Sequence, residues 1–529
     1  METLMRKLKS IVLIVVGSII ISGCYNQKNE RIYTVESGIL TPKPGPEPRI
    51  NGAKIFGVRP GSSVLFTIAA TGDRPMEFSA ENLPDGTLID SEKGFITGSV
   101  QKPGTYHITL KAQNNLGTDE KELRLVVGDE IALTPPMGCN TWGGLGPFVD
   151  EKGVRSSAEA MVKSGLINHG YCYINIDDGW QGKRGGAYNA IQPNDKFDDL
   201  GVLCDDLHAM GLKVGTYSTP WKTSYAGFIG GSSDKEDGSW NSEAPRSEGF
   251  QIGEFRFESN DARQIAEWGF DYFKYDWGIK PDHLELTKDM EDALVATGRD
   301  IVFELSNSTP ISKAAEFTEI GTMTRTTGDL VDIWDKSQLD AGKQRWALGI
   351  RDVWKEHKEW QEYNRPGHWN MPCPLRVGLL GGWDNKPLRP TRLTPDEQYA
   401  HISLWCLWSS PMIIGAPIDK LDEFTLSLLT NDEVLEINQD PLGKQAHQIK
   451  SGEGEVLVKE LEDGSIAVGL FNPDSDKYEK IGVSWTELGI NGKHIIRDVW
   501  RQKDIGIFSD EFVASIPSHG VCLVRIFKK

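Results

Sequence analysis

The chain has 529 residues, 39% hydrophobic and 25% charged, which is ordinary for a soluble globular protein of several domains. Its formal net charge of -19 at pH 7 argues against nucleic-acid binding and against peripheral docking on anionic lipid. A neutral ligand such as a sugar is unaffected by this charge, and the 16 tryptophans suit either sugar-ring faces or a large core.

The N-terminus predicts export rather than a folded element. Basic residues at positions 6, 7 and 9 precede an apolar run over 11–21 that is too short to span a membrane comfortably. Residues 21–24 (ISGC) resemble a bacterial lipobox, whose cleavage would leave Cys24 as a lipidated N-terminus. An ordinary signal peptide with a chance cysteine is the alternative. We therefore expect an exported protein, held at the periplasmic or cell-surface side of a bacterial membrane by its lipid anchor only.

Two further N-terminal segments follow the signal peptide, which we assign to residues 1–23. Residues 24–50 form a predicted linker, because its alternating prolines favour extended polyproline geometry and act as a semi-rigid spacer. Residues 51–129 contain short strands separated by turn sequences, which predicts a β-sandwich. The motifs at 83–86 (LPDG) and 94–98 (GFITG) resemble bacterial immunoglobulin-like modules. We favour a spacer role for this module over sugar binding.

Residues 130–440 alternate apolar strands with helical stretches, a pattern that predicts a parallel sheet. Eight strands can be placed, and eight strand–helix units fit a (β/α)8 TIM barrel. The predicted strands lie near Met137, Tyr173, Val214, Tyr272, Ile301, Met323, His368 and Met412. From 441 to 529 strands return without helices, which predicts a separate antiparallel β domain.

Working residues of such barrels lie where the strands end, at the C-terminal face. Five carboxylates, two cations and two tryptophans are predicted to converge there: Asp177, Asp178, Asp276, Glu304, Asp329, Lys274, Arg325, Trp142 and Trp180. Hydrolysing a glycoside with retention requires two carboxyl groups about 5–5.5 Å apart, one to attack the anomeric carbon and one to protonate the leaving oxygen. The ends of the fourth and sixth strands can supply them, but the residues alone do not say which carboxyl takes which role.

Other reaction classes find little support in the sequence. The 10 histidines are scattered without metal-ligand spacing, and the six cysteines after Cys24 form no C-x-x-C pair. Export permits disulfides, but their connectivity cannot be read from the spacing. No G-x-S-x-G elbow, P-loop or dinucleotide fingerprint follows a strand. We therefore predict no metal and no cofactor.

A set of motifs in order along the chain resembles glycoside hydrolase family 27, the α-galactosidase family. They are residues 134–138 (TPPMG), 173–180 (YINIDDGW), 270–276 (FDYFKYD), 367–370 (GHWN), 403–405 (SLW), 411–415 (PMIIG) and 437–443 (INQDPLG). The resemblance runs from residue 134 nearly to the C-terminus. It implies a retaining exo-α-glycosidase that acts on an α-linked galactoside oligo- or polysaccharide.

The resemblance also implies roles for individual residues. Asp276, which closes the K-Y-D motif, would be the nucleophile, and Asp329 of R-x-x-x-D the general acid/base. The remaining positions would bind the sugar: Asp177 and Asp178 its 4- and 6-hydroxyls, Lys274 and Arg325 further hydroxyls, with Trp142 beside them. Glu304 stands where a glutamate contacts the 2-hydroxyl in galactosidases, which favours galactose over N-acetylgalactosamine.

The chain also departs from the family pattern. Gly179 and residues 277–278 stand where the family has cysteines of a local disulfide, and 371–373 (MPC) replaces its Asp-Pro-Asp. We expect Trp277 and the 371–373 segment to alter the pocket. The alternatives are a β-L-arabinopyranosidase, an α-N-acetylgalactosaminidase, an α-glucan hydrolase, or a non-catalytic surface glycan-binding lipoprotein. Retention of both Asp276 and Asp329 speaks against the last of these.

Overall fold

The computed structural model describes residues 32–36, 38–240, 246–277, 284–306, 308–339, 346–382, 386–452 and 454–529. The predicted signal peptide and Cys24 lie outside these ranges. Within them, no helix has the length and apolar character needed to cross a membrane. The six cysteines after Cys24 are all described, and each is a free thiol.

The centre of the molecule is a parallel eight-stranded barrel, as predicted. Its strands are β1 (Met137–Asn140), β2 (Tyr173–Asn175), β3 (Lys213–Ser218), β4 (Tyr272–Asp276), β5 (Val302–Ser306), β6 (Met323–Arg325), β7 (Trp369–Met371) and β8 (Met412–Ile414). Neighbouring strands pair in chain order from β1 to β7, and β8 pairs with β1. A parallel bridge between Leu375 and Ile414 closes the ring between β7 and β8.

Helices of the barrel surround these strands, and side-chain caps fix where several of them begin. Asp150 and Asp199 each accept backbone N–H bonds at a helix start, and Thr394 forms a capping box with Glu397. The longer helices are Glu151–Lys163, Leu200–His208, Glu258–Trp268, Leu284–Ala296, Ile350–His357, Pro395–Leu407, Glu423–Leu429 and Asp432–Asn438. Short ones cover Trp142–Leu145, Arg246–Gly249 and Ala314–Phe317.

The inward-facing side chains change character along the strands. Near the strand starts they form an apolar cluster that includes Tyr173, Tyr272, Val302, Met323, Trp369 and Ile413. Because side chains alternate between the two faces of a strand, positions two and four residues further on also point inward. On β4 these are Lys274 and Asp276. The barrel therefore has an apolar floor at its N-terminal end and a polar surface at its C-terminal end.

The immunoglobulin-like module packs against the N-terminal face of the barrel. The backbone N–H of Arg59 donates to Asp300 Oδ2 (2.9 Å), and the Thr67 hydroxyl donates to the Gly211 carbonyl (2.8 Å). Both acceptors immediately precede a barrel strand. The module has one sheet of Ile55–Val58, Glu77–Glu81, Gly104–Asn114 and Gly117–Val127, and another of Ser63–Thr67, Thr87–Ile89 and Phe95–Ser99. The short strands Arg49–Ile50 and Ala70–Thr71 pair beside them.

The C-terminal domain is an antiparallel β-sandwich, as predicted. One sheet has six strands, His447–Lys450, Glu455–Glu460, Ile466–Phe471, His494–Asp498, Lys503–Phe508 and Val521–Lys528. The other contains Glu479–Ser484, Glu511–Ile516 and, at its edge, Ile32–Thr34.

The prolines predicted a semi-rigid spacer over residues 24–50, but its described part, from residue 32, contacts the rest of the protein. Strand Ile32–Thr34 pairs in parallel with residues 513–515. Tyr33 donates to Asp498 (2.8 Å), and Thr41 donates to the Ser427 carbonyl (2.7 Å). These contacts hold the described part of the segment against the C-terminal domain and the barrel. The pattern of prolines predicted an extended chain but contained no signal for its partners.

Candidate active site

A cavity of about 870 Å³ opens at the C-terminal ends of the barrel strands. Its wall contains seven of the eight predicted catalytic and sugar-binding residues, namely Trp142, Asp177, Asp178, Lys274, Asp276, Arg325 and Asp329. The structure therefore brings these seven residues together at the C-terminal end of the barrel. Among the described residues, no group of three His, Cys, Asp or Glu side chains could hold a metal ion.

Asp177 is the centre of the hydrogen-bond network at the base of this cavity. Its Oδ2 accepts from Asn140 Nδ2 (2.6 Å) and from Lys274 Nζ (2.9 Å). Its backbone N–H donates to the Thr141 hydroxyl (3.0 Å), which fixes the end of β2 against the end of β1. Lys274 is thereby held in a defined position, with its ammonium facing the cavity.

Asp276 ends β4, and its carboxylate is almost fully buried. Tyr217 donates its hydroxyl to Asp276 Oδ2 (3.0 Å), and Lys274 Nζ lies 3.8 Å from the same oxygen. Burial raises the pKa of Asp276, while the Lys274 ammonium opposes that shift. The hydroxyl and the ammonium both stabilise the ionised form that a nucleophile requires.

Asp178 is buried beside Asp177 but has an incomplete set of partners. Its Oδ2 accepts the Ala226 N–H (2.7 Å), whereas its Oδ1 has no hydrogen-bond partner within the described part of the chain. Burial raises its pKa to about 7, and the carboxylates of Asp177 and Asp276 add to the rise. The side chain of Asp178 lines the cavity, but this oxygen is shielded from solvent.

Asp329 lies on the loop after β6, and half of its side chain is exposed. Arg325 Nη2 donates to its Oδ1 (3.1 Å). Burial raises the pKa of Asp329, but the positive charges of Arg325, Arg376 and Lys274 together outweigh this and the net shift is downward. In the open site the two carboxyl groups therefore shift in opposite directions, Asp276 upward and Asp329 downward.

Trp142 begins the short helix Trp142–Leu145 directly after β1. The backbone N–H of Trp142 donates to Asn140 Oδ1 (2.9 Å), and this bond turns the chain across the strand end. The next residue, Gly143, approaches the end of β8 so closely that a Cβ atom there would lie 1.8 Å from the Gly415 carbonyl oxygen. Only glycine allows this approach, which sets the position of Trp142 on the cavity wall.

Glu304 is not on the cavity wall, contrary to the prediction. It points inward from β5 but is buried, and its carboxylate accepts the hydroxyl of Tyr272 from β4. Ser306, two residues further along the same strand face, lines the cavity instead. The register of the strand, which sequence alone did not give, decides which of the two inward-facing positions reaches the cavity.

Three other expectations are also wrong. Trp180 is buried and donates its indole N–H to the Tyr217 carbonyl (2.9 Å), so it does not line the cavity. Trp277 points away from the barrel interior, into the core around Tyr275. Met371 belongs to the apolar floor of the barrel and Cys373 to the main core. Trp277, Met371 and Cys373 therefore lie behind the cavity wall, and Gly278 lies outside the residues that the structure describes.

Sequence reasoning also missed several lining residues. Tyr217 had a usable signal, since it lies near the end of β3 with the inward spacing that identified Lys274 on β4. Other residues lie on loops, where periodicity gives no signal. They are Tyr225, Asp332, Trp346, Arg376, Arg389 and Arg392.

Family models match three parts of the chain. The model described as "Alpha galactosidase A" matches residues 146–241 and 241–440. The model of the "Alpha galactosidase C-terminal beta sandwich domain" matches 451–526, and an Ig-domain model matches 48–128.

Two α-galactosidases and one solved structure are similar to this chain over most of their own length. Alpha-galactosidase 2 of Arabidopsis thaliana is 32% identical over 420 residues, which cover 78% of this chain and 94% of the relative. Alpha-galactosidase A of Cellvibrio japonicus is 33% identical, covering 75% and 93%. A crystal structure from Bacteroides fragilis, provisionally described as an α-galactosidase, is 31% identical with a TM-score of 0.80, and the match covers 94% of this chain and all of that one.

Proposed function

The chain belongs to the α-galactosidase family, glycoside hydrolase family 27, and we propose that it is a retaining exo-α-galactosidase releasing terminal α-D-galactosyl residues. The observation that carries this proposal is that Asp276 and Asp329 line one cavity together with the Asp177–Lys274 pair. Two carboxyl groups and a set of charged hydrogen-bonding groups for sugar hydroxyls are what such a reaction requires.

Asp276 attacks the anomeric carbon in the first step. The bond from that carbon to the glycosidic oxygen breaks, an ester to Asp276 forms, and the proton of Asp329 moves to the departing oxygen. In the second step Asp329 takes a proton from water, whose oxygen attacks the anomeric carbon and displaces Asp276. The two inversions give net retention, and one water molecule is consumed.

The first step requires Asp329 protonated and Asp276 ionised, the reverse of the pKa shifts in the open site. A bound sugar changes this balance, because it displaces water from the half-exposed Asp329 and so raises its pKa. Asp276 is already buried and changes less. Tyr217 and Lys274 continue to stabilise its ionised form.

Sugar recognition would use polar groups whose hydrogen bonds are incomplete in the open site. Asp178 Oδ1 and Arg325 Nε are both buried without a partner among the described residues. Both atoms are shielded from solvent, so the side chains must turn toward the cavity before Asp178 Oδ1 accepts from a sugar hydroxyl and Arg325 Nε donates to one. An epimer that left these groups unpaired would lose several kcal/mol of binding, on the order of 1–3 kcal/mol for each.

We further propose export and lipidation at Cys24, supported by the basic, apolar and ISGC segments of residues 1–24. Labelling of the wild type by radioactive fatty acid, abolished in Cys24→Ser, tests this. Equal labelling of both proteins would refute it.

The activity is tested by hydrolysis of p-nitrophenyl α-D-galactopyranoside by residues 25–529, beside the α-N-acetylgalactosaminide and the β-L-arabinopyranoside. We expect the highest kcat/KM for the galactoside, and its loss in Asp276→Asn. Asp205→Asn, on the helix Leu200–His208 outside the cavity, is the matched control and keeps activity. Preference for another glycoside would refute the galactose assignment, and turnover by Asp276→Asn would refute the nucleophile.

A further inference from the structure

The cavity is larger than one sugar ring requires. Its volume of about 870 Å³ lies in the upper part of the range of about 300–1,000 Å³ that holds drug-sized ligands. The proposed galactose site occupies the base, at the ends of β2, β4 and β6. The remaining space lies between the loops that follow β6 and β7, where the leaving group of a glycoside would lie.

Cations are concentrated in this outer part of the cavity, although the chain has a net charge of -19. Arg376, Arg389 and Arg392 line it, with Lys386 beside them. Asp332 is the nearby carboxylate that pairs with two of these cations in the described part of the chain.

Asp332 orients these guanidinium groups. It is buried, and its two oxygens accept from Arg389 Nη1 and Nη2 (2.6 and 3.0 Å) and from Arg392 Nη2 (2.9 Å). The Arg392 backbone N–H also donates to it (2.8 Å). A single buried carboxylate thus fixes two half-exposed guanidinium groups side by side.

Donors remain available for a ligand. In the parts of the chain that the structure describes, Nε and Nη1 of Arg392 have no hydrogen-bond partner, and neither has Nη1 of Arg376. Arg376 is held through its Nε, which donates to the Leu330 carbonyl (2.9 Å). Trp346, which is half exposed and lines the same cavity from the loop after β6, offers an aromatic face to a second sugar ring.

We propose that this outer wall is a leaving-group subsite for an acidic sugar, so that the enzyme prefers α-galactosides linked to a carboxylate-bearing residue such as a uronic acid. The proposal rests on the proposed galactosidase function and specifies its substrate class. Fixed guanidinium groups suit a carboxylate because they can donate two charge-assisted hydrogen bonds to it.

An acidic leaving group would also assist the acid step. Arg376 is one of the groups that lower the pKa of Asp329. A carboxylate bound at Arg376 offsets that positive charge and favours the protonated form of Asp329. Binding of the correct leaving group is thereby coupled to the protonation state that the reaction needs.

The test compares two chromogenic substrates of nearly equal shape and different charge, 4-carboxy-2-nitrophenyl and 4-carbamoyl-2-nitrophenyl α-D-galactopyranoside; their difference in leaving-group reactivity is common to all variants. The readout is the ratio of their kcat/KM values within one enzyme, which does not depend on how much protein is active. We expect a ratio of about ten or more in the wild type at low salt, from charge-assisted hydrogen bonds to the carboxylate. The ratio should fall towards one in Arg392→Gln and in Arg376→Gln. Arg155→Gln, a surface control on the helix Glu151–Lys163, should leave it unchanged.

Salt provides a second measurement that requires no variant. The wild-type ratio should fall as sodium chloride screens the half-exposed guanidinium groups. A wild-type ratio near one, or a ratio that survives both arginine substitutions, would overturn the inference. Turnover of neither substrate would instead refute the galactosidase function, so the two failures are distinguishable.

Discussion

Asp178→Asn should stabilise the protein at neutral and alkaline pH while abolishing most of its activity. The wild-type carboxyl is buried with one oxygen unpaired, and burial raises its pKa from 3.8 to about 7. Asparagine keeps the shape and can still accept the Ala226 N–H, but it carries no charge. The substitution therefore removes an electrostatic cost of the folded state together with the acceptor that a sugar hydroxyl would use.

The magnitude follows from proton linkage. Because the folded-state pKa is raised, the folded protein binds the proton more tightly than the unfolded chain, and its stability falls as pH rises from about 4 to about 7. The cost of burying the carboxyl is about 2 kcal/mol at pH 5 and about 4 kcal/mol at pH 8, from the difference between 3.8 and about 7. Below pH 3 it vanishes, because both states are protonated.

Thermal unfolding of both proteins at pH 5 and pH 8 provides the assay. Titrations common to the two proteins cancel, so the advantage of Asp178→Asn should grow between these pH values by about 2–3 kcal/mol. Its kcat/KM for p-nitrophenyl α-D-galactopyranoside should fall by about 100-fold, as expected for losing a charged acceptor. Stability differences that do not change with pH would refute the reasoning that Asp178 is a destabilised buried acid.

Four other outcomes are expected. Asp276→Ala should lose nearly all activity, and added azide should restore turnover by forming the β-galactosyl azide; activity without azide would refute its role. Tyr217→Phe should lower kcat by about 10- to 100-fold through loss of a hydrogen bond to a charged group, with an unchanged melting temperature as the check on folding. Asp300→Ala should lower the melting temperature, because Asp300 joins the immunoglobulin-like module to the barrel, but keep kcat within about twofold, because this contact is on the opposite face. The basic limb of the kcat profile should lie at higher pH than that of kcat/KM, since a bound sugar removes water from Asp329; coincident limbs would contradict this.

The strand pattern could be predicted because its physical cause is local. Strands of a barrel are short apolar segments between amphipathic helices, so all eight were placed near their observed positions. The C-terminal ends of parallel strands meet at one face, so residues far apart in sequence, such as Asp177 and Asp329, could be brought together without coordinates.

Two features of the cavity could not be predicted from the sequence. One is how deep an inward-facing residue lies, which the register between strands decides. Glu304 and Ser306 both point inward from β5, and only Ser306 reaches the cavity. The other is the course of the long loops. Arg392 and Trp346 both line the cavity although they are far from any strand end in the sequence. An ion pair with Asp332 holds Arg392 there.

The role of Asp276 is tested most directly by trapping the covalent intermediate. Incubation with 5-fluoro-α-D-galactosyl fluoride, followed by proteolysis and mass spectrometry, identifies the carboxylate that attacks the anomeric carbon. The proposed mechanism predicts time-dependent inactivation with one galactosyl label, on Asp276. A label on Asp329, Asp178 or any other residue would contradict it.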